Sequence, residues 1–445
     1  MSRTLIVNGT LVNDGEIFDA DILIEGDRIA RIDAGIAAEA GDRVIEAAGR
    51  HVLPGLIDDQ VHLREPGLTH KANIASESRA ALFGGVTSYL EMPNTSPPTT
   101  HKAALVEKYD RALGRSYANY AFYLGATNQN IEEIRRLTSA DACGIKVFMG
   151  ASTGNMLVDD PDALERIFAG AAVPVVTHCE DTPTILANEV RFREKYGEDV
   201  PMSAHPEIRS AEACLMSSSL AVDLAKRNGT RLHVLHLTTA RELELFEPGP
   251  IESKHITAEV CVHHLWFDEA DYAELGTLIK CNPAIKTSGD REGLIAGVQQ
   301  DRIDVIATDH APHTREEKAE SYFSAPSGLP LVQHSLQMLL QQYRQGLFSL
   351  EQIVTKAAHN PAKLFGVVDR GFIREGYYAD LVIVDLQRPQ TVEPGNIQYL
   401  CGWSPLEGST LDASVEMTIL NGEIVFDDGE IRGEAAGRAL EFKAC

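Results

Sequence analysis

Basic residues are in short supply in this chain. Its 445 residues include 40 Lys and Arg against 65 Asp and Glu, a formal net charge of −25. A general nucleic-acid binder needs the opposite surplus to neutralise phosphates, so that class is excluded, although a locally cationic pocket is compatible with any net charge. Paired cysteines are also missing. The seven cysteines (143, 179, 214, 261, 281, 401 and 445) are odd in number and scattered. That excludes a CxxC zinc or redox motif and argues against a disulfide scaffold. No uninterrupted apolar run approaches the roughly 20 residues of a membrane span. The opening stretch MSRTLIVNGTLVNDGEIFDADILIEG alternates polar and apolar residues without the apolar centre of a signal peptide, so a cytoplasmic location is expected. Short-period repeats and low-complexity tracts are absent. What remains, 44% apolar and 24% charged residues, is ordinary for a globular protein with a large core.

Both ends of the chain read as short strands and turns. TLIVNGTLV and DADILIEG near the start carry Asn8-Gly9 and Asp14-Gly15 as turn signals; SVEMTILNGEIVFDDGEIRG near the end carries Asn421-Gly422 and Asp428-Gly429. Because chain ends often lie close together, residues 1–52 and 366–445 are expected to form one small β domain. The middle, 53–365, alternates differently. LPGLIDDQVHL, GVTSYLEM, NYAFYLGA, GIKVFMG, VPVVTHC, RLHVLHL, ITAEVCVHH and IDVIATDH read as strands. Stretches of helical pattern lie between most of them, at 103–116, 130–140, 182–197, 210–228 and 289–300. Eight strands interleaved with helices is the pattern of a parallel α/β barrel; a doubly wound sheet would alternate similarly, but the strand count favours the barrel.

The unusual polar residues fall at the ends of these strands: His62, Asn94, Lys146, His178, His236 and Asp309. In an α/β barrel the C-terminal strand ends converge on one mouth, which turns six scattered residues into one cluster. A single histidine at a strand end is usually a hydrogen-bonded structural residue. Three at one level together with an aspartate form a donor set suited to zinc or a similar metal. Lys146, flanked by apolar Ile145, Val147 and Phe148, would be repelled by metal ions as an ammonium. As a neutral amine it can add CO2 and become a carbamate whose two oxygens bridge two metals. Asp309 suits both metal ligation and proton transfer. His233, three residues before His236, is expected to face the other side of its strand and to be structural. One of His263 and His264 could face the mouth, but packing, or support of a ligand from behind, is the reading preferred for both.

At these residues the chain resembles the dihydroorotases of the amidohydrolase superfamily. VHLREPG (61–67), MPNT (92–95), CNPAIK (281–286) and ATDHAPH (307–313) match that family's blocks in order, and LPGLIDDQVH and GYYADLVIVD match the wider superfamily's entry and exit segments. The resemblance covers essentially the whole chain. It implies a distorted (β/α)8 TIM-type barrel with a small β-sandwich domain built from both termini. It also implies reversible hydrolysis of L-dihydroorotate to N-carbamoyl-L-aspartate, a small-molecule reaction of pyrimidine biosynthesis, and a homodimer. Carried over residue by residue, His62, His178, His236 and Asp309 are similar to metal ligands. Arg64, Asn94 and His313 are similar to groups that hold the substrate carboxylate and ring, with Asn282 nearby and Gly328 in a loop that presents backbone groups to substrate. Two departures stand out. Gln60 replaces the first histidine of the usual His-x-His while sharing a strand face with His62, which weakens one metal position because an amide oxygen is a poorer zinc ligand than imidazole. Lys146 in GIKVFMG resembles the carboxylated lysine of hydantoinase-like and allantoinase-like relatives. One or two Zn2+ are therefore expected per subunit, two if Lys146 is carboxylated.

The mechanism expected from this set is attack of ionised water on a metal-polarised ring carbonyl, with Asp309 moving the proton to the leaving nitrogen and Arg64 binding the substrate carboxylate. Two rival readings stand beside it. One is a cyclic amidase for hydantoins, dihydropyrimidines or allantoin; the other is a non-catalytic scaffold homologue, which Gln60 raises.

Overall fold

The computed structural model describes residues 3–150 and 156–443. Strands from the two ends of the chain share one nine-stranded sheet. The join is made by His51–Pro54, which runs antiparallel to Leu381–Asp385 with Val52 opposite Ile383 and lies beside Arg3–Asn13. Ile6, Leu11, Ile22, Ile24, Val52, Leu381, Ile383 and Ile419 form one buried cluster there; alternation puts Ile22 and Ile24, and Leu381 and Ile383, on one face, and a bulge in Arg3–Asn13 brings Leu11 to the same face as Ile6. Three of the four turn signals are hairpin turns. Asp14, Asn421 and Asp428 adopt positive φ and each is followed by a glycine that does the same, as tight hairpins require. Asn8-Gly9 is a correction. Arg3–Asn13 is one continuous strand, and Asn8, at φ 59°, lies at a bulge in its pairing with Glu16–Glu25.

The middle of the chain forms the expected parallel barrel. Its strands are Leu56–Val61, Val86–Glu91, Asn119–Phe122, Ile145–Phe148, Val175–His178, Leu232–Val234, Ile256–Cys261 and Val305–Ala307. The third is broken at Tyr123, so that Leu124–Gly125 pairs with the fourth strand, and a parallel bridge from His310 to Val61 connects the eighth back to the first. The helices sit close to where their periodicity predicts them, and their limits follow from caps. Ser210 accepts from the Ala213 N–H at the start of Ala211–Asn228, and Gly229 ends it in the left-handed conformation. The 103–116 pattern runs as Lys102–Ala112 and stops where Leu113 leaves the helical conformation. The 130–140 pattern shortens to Ile131–Arg135, and Asp141 closes a turn onto Thr138 beyond it. Among the described residues no helix is long and apolar enough to cross a membrane, and none of the six described cysteines is in a disulfide. Cys445 lies outside the described residues.

Candidate active site

Nine residues singled out from the sequence meet in one open cleft at the C-terminal end of the barrel: His62, Arg64, Asn94, Lys146, His178, His236, Asn282, Asp309 and Gly328. Gln60 and Phe148 line it as well. Two of the strands end before their functional residues. Leu232–Val234 stops two residues short of His236, and Val305–Ala307 two short of Asp309. The chain then turns through left-handed backbone, with φ 40° at His236, 47° at Asp309 and 65° at Arg64. Such conformations cost a non-glycine residue on the order of 1–3 kcal/mol each and persist only where the surroundings impose them. Here they aim three side chains into the mouth.

The hydrogen bonds fix what each ring nitrogen offers. His62 Nδ1 lies 2.8 Å from Asn94 Oδ1, so Nδ1 carries the proton and donates to the amide oxygen. That leaves Nε2 with its lone pair facing Asp309 Oδ1 at 3.1 Å, two acceptors that need a proton or a cation between them. His178 repeats the pattern. Its Nε2–H donates to Glu180 Oε2 at 2.9 Å, and its bare Nδ1 meets His236 Nε2 at 3.0 Å. A carboxylate behind an imidazole is the usual outer support of a metal-ligating histidine. Glu180 is itself held by Arg209. Burial opposes its ionisation, but Arg209 and His178 outweigh burial and hold its carboxyl down at about 2. The donors that converge here are imidazole nitrogens and a carboxylate, and they fit a zinc-type ion.

Lys146, fully buried, has its Nζ 4.7 Å from the Phe148 ring centre. Burial pushes its pKa down to about 8 against the pull of Asp309 and Glu259, which enlarges the neutral amine fraction at neutral pH. Gln60 points where the sequence places it, but with its amide N–H foremost: Nε2 donates to Asp309 Oδ1 at 3.1 Å, while Oε1 lies 3.8 Å from Cys261 Sγ. The amide thus offers Asp309 a hydrogen-bond donor and turns its own oxygen away from it.

The other wall of the cleft is cationic. Arg64 is anchored by Nε on the Pro312 carbonyl at 3.0 Å, with one terminal nitrogen 3.0 Å from His313 Nε2. His313 does not line the cleft. Its ring lies behind Arg64 with Lys71 Nζ 3.0 Å from Nδ1, and burial together with Arg64 and Lys71 holds its pKa well below the usual imidazole range. Asn282 Oδ1 accepts from Ser327 Oγ at 3.0 Å, which ties it to the loop that carries Gly328. Gly328 has φ 141°, and a side chain there would run into the Ala311 carbonyl.

His233 is a second correction. It does not face away from the site. Its Nε2 lies 3.3 Å from Asp59 Oδ2 and 3.8 Å from Glu259 Oε2 in the barrel interior, and Glu259 Oε1 accepts the N–H of His236. Strand alternation predicts opposite faces only while the strand continues, and the left-handed turn at His236 resets it. His263 and His264 are buried behind the cleft and do not line it. Glu180 escaped the sequence reading, although its place two residues after His178 was a legible signal. Arg209, far away in sequence, gave none.

A sequence model of the amidohydrolase family matches residues 51–425. Among curated relatives, a dihydroorotase from Halobacterium salinarum is 34% identical over 426 residues, spanning 95% of this chain and 96% of the relative. A dihydroorotase from Pyrococcus furiosus is 33% identical over 441 residues, spanning 99% and 96%. Among solved structures, the L-hydantoinase (dihydropyrimidinase) of Arthrobacter aurescens superposes with a TM-score of 0.93 at 29% identity, covering 99% of this chain and 100% of that one.

Proposed function

The chain belongs to the amidohydrolase family, and from that membership we propose that it works as a dihydroorotase, interconverting L-dihydroorotate and N-carbamoyl-L-aspartate in pyrimidine biosynthesis. It is a cyclic amide hydrolase. The observation that carries the substrate reading is Arg64: a buried guanidinium, anchored through Nε, opens onto the same cleft as three histidines and Asp309. A guanidinium fork binds a carboxylate through charge-assisted bonds. L-dihydroorotate carries a carboxylate beside the scissile ring amide; hydantoins and dihydropyrimidines do not. Asn94, Asn282 and the backbone at Gly328 complete this binding wall in our reading, and His313 positions Arg64 from behind.

We assign metal binding to His62, Lys146, His178, His236 and Asp309. A zinc ion held there supplies ionised water at neutral pH and polarises the carbonyl under attack. Asp309 takes up the proton at its carboxylate and passes it to the leaving ring nitrogen. Arg64 and the two asparagines orient the ring. The N–H of Gln60 occupies an oxygen of Asp309, so an ion held through Asp309 would be bound more weakly than one held through His178 and His236. Neutral Lys146 can add CO2 with release of a proton, and its carboxylated form would add oxygen ligands to the donor set. A homodimer in the cytoplasm, divided into domains 53–365 and 1–52 with 366–445, completes the proposal.

The test is a substrate panel run beside metal analysis. Turnover of L-dihydroorotate and N-carbamoyl-L-aspartate with bound zinc is the expected result. The likeness to the L-hydantoinase supports a second reading, which preferential turnover of hydantoin or dihydrouracil would establish instead. Absence of both metal and turnover would leave the scaffold reading.

A further inference from the structure

Asp59, His233 and Glu259 meet beneath the mouth, in the barrel interior, and each side chain is fully buried. Thr257 sets the tautomer of the histidine. Its hydroxyl lies 3.2 Å from the Leu232 carbonyl, to which it donates, so its oxygen accepts from His233 Nδ1 at 2.8 Å. In the neutral ring that this bond selects, His233 Nε2 would face the two carboxylates with its lone pair. Neither oxygen of Asp59, nor Oε2 of Glu259, nor Nε2 of His233 has a hydrogen-bond partner among the described residues.

A proton shared between His233 and a carboxylate would draw the atoms to about 2.7–2.9 Å, the length of a charge-assisted bond. The observed separations from Nε2 are 3.3 Å to Asp59 and 3.8 Å to Glu259. Two ligands of one tetrahedral ion, each about 2.1 Å from it, lie about 3.4 Å apart, close to what is seen. Charge points the same way. Two ionised carboxylates beside a neutral imidazole balance a divalent cation.

We propose that Asp59, His233 and Glu259 form a buried cation site, separate from the ligands at the mouth, that takes a divalent ion of zinc or manganese type. One nitrogen and two carboxylate ligands suit such ions. The ion ties the first, sixth and seventh barrel strands together. It also fixes Glu259, whose Oε1 accepts the His236 N–H at 2.9 Å and thereby holds the left-handed turn that aims His236 into the mouth.

The test is to crystallise the full-length protein in the presence of Zn2+, and separately of Mn2+, with anomalous diffraction collected above each absorption edge. An anomalous peak about 2.0–2.2 Å from Asp59, His233 Nε2 and Glu259 Oε2 is expected. Elemental analysis should find that Asp59→Asn loses about one metal equivalent relative to the wild type. A His178→Ala variant, which weakens the mouth, should keep that equivalent. Should Asp59→Asn fail to fold, the wild-type map and His178→Ala still decide. Wild-type crystals without a peak at this centre, or an Asp59→Asn protein with unchanged metal content, would overturn the proposal and leave a protonated His233 between the two carboxylates. Neither outcome depends on which cyclic amide the mouth hydrolyses.

Discussion

Arg64 is held from behind by Pro312 and His313, so its guanidinium is already oriented before substrate arrives. Burial lowers its pKa only to about 10, which leaves it charged at neutral pH. A charge-assisted bond to a carboxylate contributes about 2 kcal/mol, so Arg64→Met should raise KM for L-dihydroorotate roughly 30-fold. Metal content should stay intact, because Arg64 is not among the converging metal donors. Steady-state kinetics paired with elemental analysis checks this, and an unchanged KM would remove Arg64 from the binding wall. Glu180 acts at the same scale through a different atom. It accepts from His178 Nε2 and so keeps Nδ1 bare toward His236. Glu180→Gln weakens that tautomer preference and should lower metal affinity about 10–100-fold, the usual cost of losing the outer support of a ligand. Titration against a competing chelator measures it, and wild-type affinity in the variant would show that the orientation of His178 is set elsewhere.

Elements place these residues, and their ends matter more than their middles. Lys146 and His178 lie within regular strands, so their direction follows from the pleat. Asp309 and His236 lie beyond strand ends, where direction depends on a left-handed turn. The helix Ala211–Asn228 packs behind the strand that leads to His236. Its start depends on the Ser210 hydroxyl, 3.3 Å from the Ala213 N–H. Ser210→Ala should cost about 1 kcal/mol, seen as a lower urea midpoint at unchanged slope. Dihydroorotate turnover should remain, since the cap contacts no residue of the cleft. A variant as stable as the wild type would mean that tertiary packing alone holds this helix end.

At the scale of the molecule, buried histidines tie stability to pH. His334, fully buried against the Tyr399 hydroxyl, is pushed down by burial to about 3 from an ordinary 6.5. The unfolded chain therefore binds this proton as pH falls through 6.5, while the folded chain stays neutral until about 3. Stability conferred by the neutral ring is complete above 6.5 and is lost progressively below it. From pH 7 to pH 5 that loss amounts to about 2 kcal/mol for this one group. Comparing urea unfolding of His334→Gln and wild type at the two values should reveal it, the variant losing less. Equal losses would mean that His334 is protonated in the folded state. The net charge of −25 also belongs to this scale. It describes a surface that favours solubility, while the cleft itself presents Arg64 and a metal-binding donor set.

Sequence alone was enough for the strand-and-helix alternation, the shared terminal sheet and nine residues of the cleft, because apolar periodicity and strand-end position are local properties that fold class converts into proximity. It was also enough for Gln60 as the odd residue in its strand. Only tertiary structure decided which end of the Gln60 amide faces Asp309, that Asn8-Gly9 is a bulge within one strand, and that His233 joins Asp59 and Glu259 in the interior. Each of these depends on a partner far away in the chain or on a backbone turn imposed by one. Alternation along a strand carries no information about where that strand stops.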